Sequence, residues 1–384
     1  MDSTEKQLTL KPVTSIQNIE QEQWNALHLS SDSDNPFSDY RFLLALEQSQ
    51  SISAETGWQP FHLAFWCEDE LIAVMPSYIK NHSYGEFVFD WSWADAYQRH
   101  EIAYYPKLLT AIPLTPISGA RLLSKGLTQQ QAAKIREAIF VLCHQHNFSS
   151  WHINFVKPGQ LSLFEHKNIL KRYDLQFHWH NQNYRTFDDF LTQLKPKKRK
   201  NIRQERRKVK EQGWIFKWLT GVQATNSDWQ LFYRMYQDTF DKKGNWAQLK
   251  EEFFKQVASL MPEQVLLLFA YQQGNPKAGA FFMRSDKVLY GRYWGALEKS
   301  SCLHFETCYY QGIDYAIKHG LEVFEPGAQG QHKLARGFIP VSTFSCHFIE
   351  HAAFREAIEV FLQQEDHYHQ QSLAYNRIHN SYKD

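Results

Sequence analysis

Apolar and polar positions change period along this chain, and the changes mark out two successive runs of elements. Leu8 to Val13 reads as a first strand; Asn18 to Leu27 and Asp39 to Gln48 read as helices, with Pro36-Phe37-Ser38 offering a cap between them. Phe61 to Cys67, the acidic turn Glu68-Asp69-Glu70 and Leu71 to Ile79 make a hairpin pattern, and Glu86 to Trp93 reads as a further strand leading into Ala94 to Tyr97. Gln129 to His146 places Ala132, Ile135, Ile139 and Leu142 on one stripe, which predicts an amphipathic helix, and Trp151 to Val156 reads as the strand after it.

The second half repeats that order. Trp214 to Leu219 is a strand pattern, Asp228 to Phe240 and Gln248 to Leu260 are helical, and Val265 to Tyr271, Ala278 to Arg284 and Val288 to Trp294 form a meander. His304 to His319 reads as a helix and Glu322 to Glu325 as a short strand. The pattern predicts a duplicated α+β fold, with the joint around Asn181 to Thr186. The expected domains are therefore 1–180 and 181–384.

Charge adds a feature that periodicity does not show. From Lys195 to Lys210 ten Lys or Arg residues stand against one acid, Glu205. The whole chain has 42 Lys+Arg and 41 Asp+Glu, which leaves 32 against 40 elsewhere, a balance of −8. Ile202 and Val209 lie seven apart, Pro196 suits a first turn and Gly213 a stop, so 195–212 reads as a basic helix. A solvated face, an import peptide and an anion-binding helix all fit that pattern. In the third reading Lys198, Arg199, Arg203, Arg206 and Arg207 meet the anion. Aromatic residues make up 15% of the chain, enough for aromatic-walled clefts as well as core. Met1 to Lys11 holds no apolar run and no stretch is long enough to span a membrane, which predicts a cytoplasmic protein. Five scattered cysteines without a CxxC pair suit a reducing compartment and give no zinc framework.

The second half has the element order of GNAT acyltransferases. LKPKKRKNIRQERRKVKEQGW resembles the basic helix of Fem-type peptidoglycan aminoacyltransferases, and VLLLFAYQQGNPKAGAFFM, LYGRYWGALE, LHFETCYYQGIDYAIKHG and FEPGAQGQHKLARGF follow in the same order. FHLAF, FDWSWADAY and QFHWHN look like the bacterial FemAB-like group of N-acyltransferases. This resemblance implies tandem GNAT-like domains, each a mixed sheet flanked by helices, forming one cleft. It also implies transfer of an acyl or aminoacyl group to an amine, the acceptor being a small molecule or a cell-wall precursor. The donor it implies is aminoacyl-tRNA, with acyl-CoA or an acyl carrier protein as the rival and no tightly bound cofactor. A non-catalytic binder of nucleic acid or cell-wall precursor keeps the same cleft.

Four stretches carry candidate chemistry. Asp90-Trp91-Ser92-Trp93-Ala94-Asp95 offers carboxylates beside indoles; on a strand the two Trp would share one face. There Asp90 or Asp95 would hold or deprotonate an acceptor amine, with Trp91, Trp93 and Tyr97 as walls, or cap a helix. His304 and Glu306 open the helix after Tyr293-Trp294-Gly295; in the resembling fold they face the point where strands splay. Leu297 to Glu306 has no glycine, unlike the pyrophosphate cradle of coenzyme A users. Gly327 to Phe338 combines glycines with Gln329, His332, Lys333 and Arg336. The Fem resemblance implies a lysine here that assists acyl transfer; Ala335 fills that slot, with Lys333 two residues earlier. Expected catalytic residues are thus Asp90, Glu306, Lys333 and Arg336. His178-Trp179-His180 has no third ligand in reach by spacing and reads as structural.

Overall fold

The structure is a computed structural model that describes residues 8–328 and 330–383. The chain divides into two compact units, one of residues 1–174 and 343–370, the other of residues 175–342 and 371–384. The sequence suggests one joint near 181–186; the structure instead returns a C-terminal stretch to the first unit. The boundaries fall within strand β9 (Ile169–His180), strand β15 (Ile339–Ile349) and helix α11 (Ala352–Ile378). No element was expected over the last two, because a mixed run of apolar, His and Gln residues gives no clean period.

In the first unit β1 (Leu8–Val13), β3 (His62–Cys67), β4 (Glu70–Met75) and β7 (Leu123–Ser124) make an antiparallel sheet in the order β1-β3-β4-β7. A second sheet runs from β15 through β8 (Ser150–Ile153), β6 (Lys107–Thr110) and β5 (Ser77–Lys80) to β2 (Trp58–Pro60), with β6 and β8 parallel. The run Leu71 to Ile79 is thus two strands, split at Pro76, which has no N–H for a continuous ladder. Helices α1 (Gln21–Asp32), α2 (Tyr40–Gln48), α3 (Trp91–Arg99) and α4 (Gln129–Gln145) accompany the sheets. Helix α4 starts on a Thr128/Gln131 capping box and buries Ala132, Ile135, Ile139 and Leu142, the stripe read from the sequence.

In the second unit β10 (Trp214–Thr220), β11 (Val265–Gln272), β12 (Asn275–Arg284) and β13 (Val288–Ala296) are antiparallel neighbours; β14 (Val323–Glu325) joins β13 in parallel and then pairs with β9. Helices α5 (Phe187–Gln193), α6 (Pro196–Glu211), α7 (Asn226–Asp241) and α8 (Glu251–Leu260) precede or interrupt these strands. After β13 a short turn α9 (Leu303–Phe305), a π-helical turn at Glu306–Tyr310 and α10 (Gln311–Lys318) form one continuous helical segment. The first unit thus combines an antiparallel sheet and a mixed sheet with its helices, and the second is a mixed sheet flanked by helices. None of the helices among the described residues is long and apolar enough to cross a membrane.

Candidate active site

The second unit contains a cavity of about 490 Å³, built where two strands part. A bulge in β13 sets its floor: Phe281 pairs with Tyr293 and Phe282 with Gly291, leaving Arg292 as the extra residue. Parallel pairing of β13 with β14 ends at Tyr290 and Glu325, and Pro326 then carries the chain away. Helix α7 closes one side against Gly295, where a Cβ would stand 2.0 Å from the Met235 carbonyl oxygen; only glycine permits that approach. Tyr236, Phe240, Phe281, Phe282, Tyr293 and Trp294 supply aromatic walls, and His304, Cys308, Tyr309, His332 and Lys333 complete them.

Lys333 is the most enclosed charge of this wall, 2% exposed. Its ammonium donates to the carbonyl oxygens of Gly327 at 2.7 Å, Ala328 at 3.1 Å and Pro326 at 3.4 Å, so it pins the loop that follows β14. Gly327 holds φ at +81° there. Burial pushes the Lys333 pKa down to about 7, partly countered by Glu325 and reinforced by Arg292. Lys333 lies in a 3₁₀ turn, Gln331–Arg336, entered and left through glycines with positive φ, Gly330 and Gly337. His332, exposed at the rim, meets the Tyr309 hydroxyl at 2.8 Å through Nε2. His304 lies edge-on to Trp294 at 5.2 Å, and burial lowers its pKa to about 4. Gln329 lies outside the described residues.

Glu306 and Arg336 behave differently from expectation. Glu306 is 3% exposed and receives Arg206 at 3.0 Å and Gln311 at 2.9 Å; Arg206 also reaches Asp314 at 2.6 Å and covers the Phe187 ring. Arg336 donates to Glu205 at 2.8 Å and to the His332 carbonyl at 2.8 Å, with its guanidinium 3.4 Å from the Phe305 ring centre. Glu205, the single acid of the basic run, also takes the Tyr310 hydroxyl. These contacts fasten α6 to the cavity wall, and they use Arg206 internally. Ile202 and Val209 are each 1% exposed, as their spacing required. The solvent-facing side of α6 presents Lys197, Lys200, Arg203, Arg207, Lys208 and Lys210; Lys198 and Arg199 are half-buried. Arg203 pairs with Asp188 and Arg207 with Glu211.

Asp90 sits in the first unit, within a buried ion network whose members are scattered along the chain. The segment expected as a strand turns into α3 at Trp91, because Trp93 and Tyr97, four apart, form the apolar side of a helix. Trp93 is therefore 3% exposed while Trp91 is 38% exposed, so the two do not share a face; Asp95 points to solvent. Lys107, fully buried, donates to Glu86 at 2.9 Å, to Ser83 at 2.8 Å and to Asp90. Tyr104 donates to Asp90 at 2.5 Å and meets His152 at 3.2 Å. His152 and His347 share a proton between their Nδ1 atoms at 2.6 Å. Burial works against the Asp90 charge, but Lys107 and His152 outweigh it and hold Asp90 below the usual carboxylate range; burial drives Glu86 up to about 7. Asp90 Oδ1 and Glu86 Oε1 have no hydrogen-bond partner among the described residues.

His178 is half-buried, with Nε2 3.2 Å from the Gln176 side-chain oxygen. No cluster of His, Cys, Asp and Glu among the described residues is arranged to hold a metal ion.

Three solved structures share the architecture. FemX superposes with a TM-score of 0.52 at 10% identity, covering 89% of this chain and 98% of that one. L-PGS from Bacillus licheniformis gives 0.54 at 9%, covering 89% and 97%. The C-terminal domain of a protein described as a lysylphosphatidylglycerol synthetase from Agrobacterium fabrum gives 0.54 at 10%, covering 90% and 95%. At these identities the likeness is one of fold, and it defines the class: an α+β protein of tandem GNAT-like domains. Residues 15–384 match the FemAB-like family, described as peptidoglycan biosynthesis/recognition, and the chain belongs to that family. No curated protein matches the sequence.

Proposed function

We propose that this protein is a cytoplasmic N-acyltransferase that moves an acyl or aminoacyl group from an activated donor to the amine of a small molecule or cell-wall precursor. One observation carries the reading: Lys333, buried and held by three carbonyls, lies in the wall of an aromatic cavity at the parting of β13 and β14. A neutral acceptor amine attacks the donor carbonyl carbon, whose oxygen becomes anionic; collapse of that intermediate breaks the bond to the carrier, which takes up a proton from solvent and leaves as its thiol or alcohol. The Lys333 ammonium stabilises that charge across the low-dielectric wall. The proton lost by the amine reaches solvent through Tyr309 and His332, which are hydrogen-bonded at the cavity rim. Glu306, enclosed in its ion pair with Arg206, is a positioning residue in this scheme.

The donor is carried on a polyanion met by the outer face of α6, whether tRNA, coenzyme A or an acyl carrier protein. The family description and the fold shared with FemX support the reading. Native mass spectrometry of the protein with aminoacyl-tRNA, acyl-CoAs and acylated carrier protein tests it. A donor complex, followed by transfer to an added amine that Lys333→Ala slows about a hundredfold, is the expected result. Failure to bind any of the three donors at low salt overturns it.

A further inference from the structure

The cavity that holds the transferred group is electrostatically one-sided. Among the described residues no Asp or Glu lines it, while Lys243, Arg292 and Lys333 do, with His304 and His332 beside them. Glu325, at the end of β14, is taken: Arg292 reaches it at 2.8 Å, and both side chains are almost fully buried. Nothing in the lining thus offers a free negative charge. His304 reports on the field inside. After burial, the influences that lower its pKa come from His332, Lys243, Arg336 and Lys333, all cationic or able to become so. Lys333 is engaged as a donor to three carbonyls of its own loop, and below about pH 7 it is an ammonium with no lone pair to offer.

Aromatic faces would attract an ammonium through their quadrupoles, by about 0.5–2 kcal/mol. Against that stand Lys243 at the exposed mouth and the buried Lys333, cationic below about pH 7, whose repulsion of a like charge is stronger in its low-dielectric surroundings than in water. The walls suit apolar bulk and not positive charge. We propose that the group transferred from this cavity is an acyl group without a positive charge, and that donors bearing a free α-ammonium are disfavoured. This rests on the acyltransferase reading of the cavity, and it narrows the donor from aminoacyl to neutral or anionic acyl.

Two small esters of matched skeleton test it: methyl 3-phenylpropanoate and phenylalanine methyl ester, which differ by the α-ammonium. Binding is measured by calorimetry at about pH 6, below the ordinary α-amino pKa. The uncharged ester should bind about tenfold more tightly. Lys243 is exposed at the cavity mouth, so Lys243→Glu leaves the fold intact. It should shrink the ratio severalfold, by tightening the ammonium-bearing ester relative to the uncharged one. Equal affinity for the two esters, or a ratio that Lys243→Glu does not move, overturns the charge inference alone. Binding of neither ester overturns the acyl pocket itself, and the inference falls with it.

Discussion

Lys333 and Lys107 show how differently a buried lysine behaves when its partners differ. Lys333 has only carbonyl dipoles around its ammonium, so burial wins and its pKa falls to about 7. Lys107 is as deeply buried, yet Glu86 and Asp90 lie against it and its pKa rises. The consequences are opposite in sign. For Lys333 the unfolded chain, with a pKa near 10.4, binds the extra proton, so this site's contribution to stability grows as pH climbs from about 7 to about 10.4. Its cationic fraction falls over the same range. Turnover should therefore decline above about pH 7 even as the fold tightens, and Lys333→Ala should cost about a hundredfold in kcat and remove that limb. A pH–rate profile beside urea midpoints for both proteins checks the two signs. Lys107→Met leaves two carboxylates buried without their cation and should cost about 3–5 kcal/mol, read as a lowered midpoint at neutral pH. Lowering the pH should recover part of this loss, since protonation relieves the stranded acids.

Helix α6 was legible at the level of the element and misleading at the level of its residues. The seven-residue step from Ile202 to Val209 gave the buried side, and Gly213, with φ of +78°, gave the stop. Which cations remain for a ligand depends on partners far away in sequence, such as Glu306 and Asp314 for Arg206. No local pattern reports those. Glu205 was the available hint, since one acid among ten bases invites the question of what it holds. The same limit explains the ion network: Ser83, Glu86, Asp90, Lys107, His152 and His347 are assembled by tertiary packing, and of these only Asp90 stands out in the sequence, without its partners. Short elements fail for a related reason. The stretch at Trp91 was too brief to separate a period of 2 from a period of 3.6. Replacing Lys197, Lys200, Arg207 and Lys208 together by Gln should reduce polyanion binding and flatten its salt dependence. The melting temperature should barely move, since these side chains face solvent. Ile202→Ala should do the reverse, lowering stability by about 2–5 kcal/mol. Filter binding at several salt concentrations and thermal melts separate the two effects.

At the scale of the whole molecule the duplication read from the sequence is real in element order, but the division of the chain is not a simple halving. Residues 343–370 contribute Cys346 and Phe348 to the core built on β3, β4 and α4. They contribute Ile349, Ile358 and Leu362 to the cluster around Trp93, Tyr97 and Tyr104, and His347 to the ion network. Each buried apolar side chain of that size is worth about 1.5–3 kcal/mol, so five of them rival the net stability of a typical domain, about 5–15 kcal/mol. A fragment of residues 1–180, the domain suggested by the sequence, lacks all of them. It should show no cooperative melt and should bind a hydrophobic dye. Residues 1–174 joined by a flexible linker to 343–370 should melt cooperatively, because that fragment restores the cluster, the core and the partner of His152. Calorimetry on the two fragments decides the matter: a cooperative transition in 1–180 alone would return the boundary to the joint near 181, and would make the C-terminal stretch an accessory to a unit that folds without it.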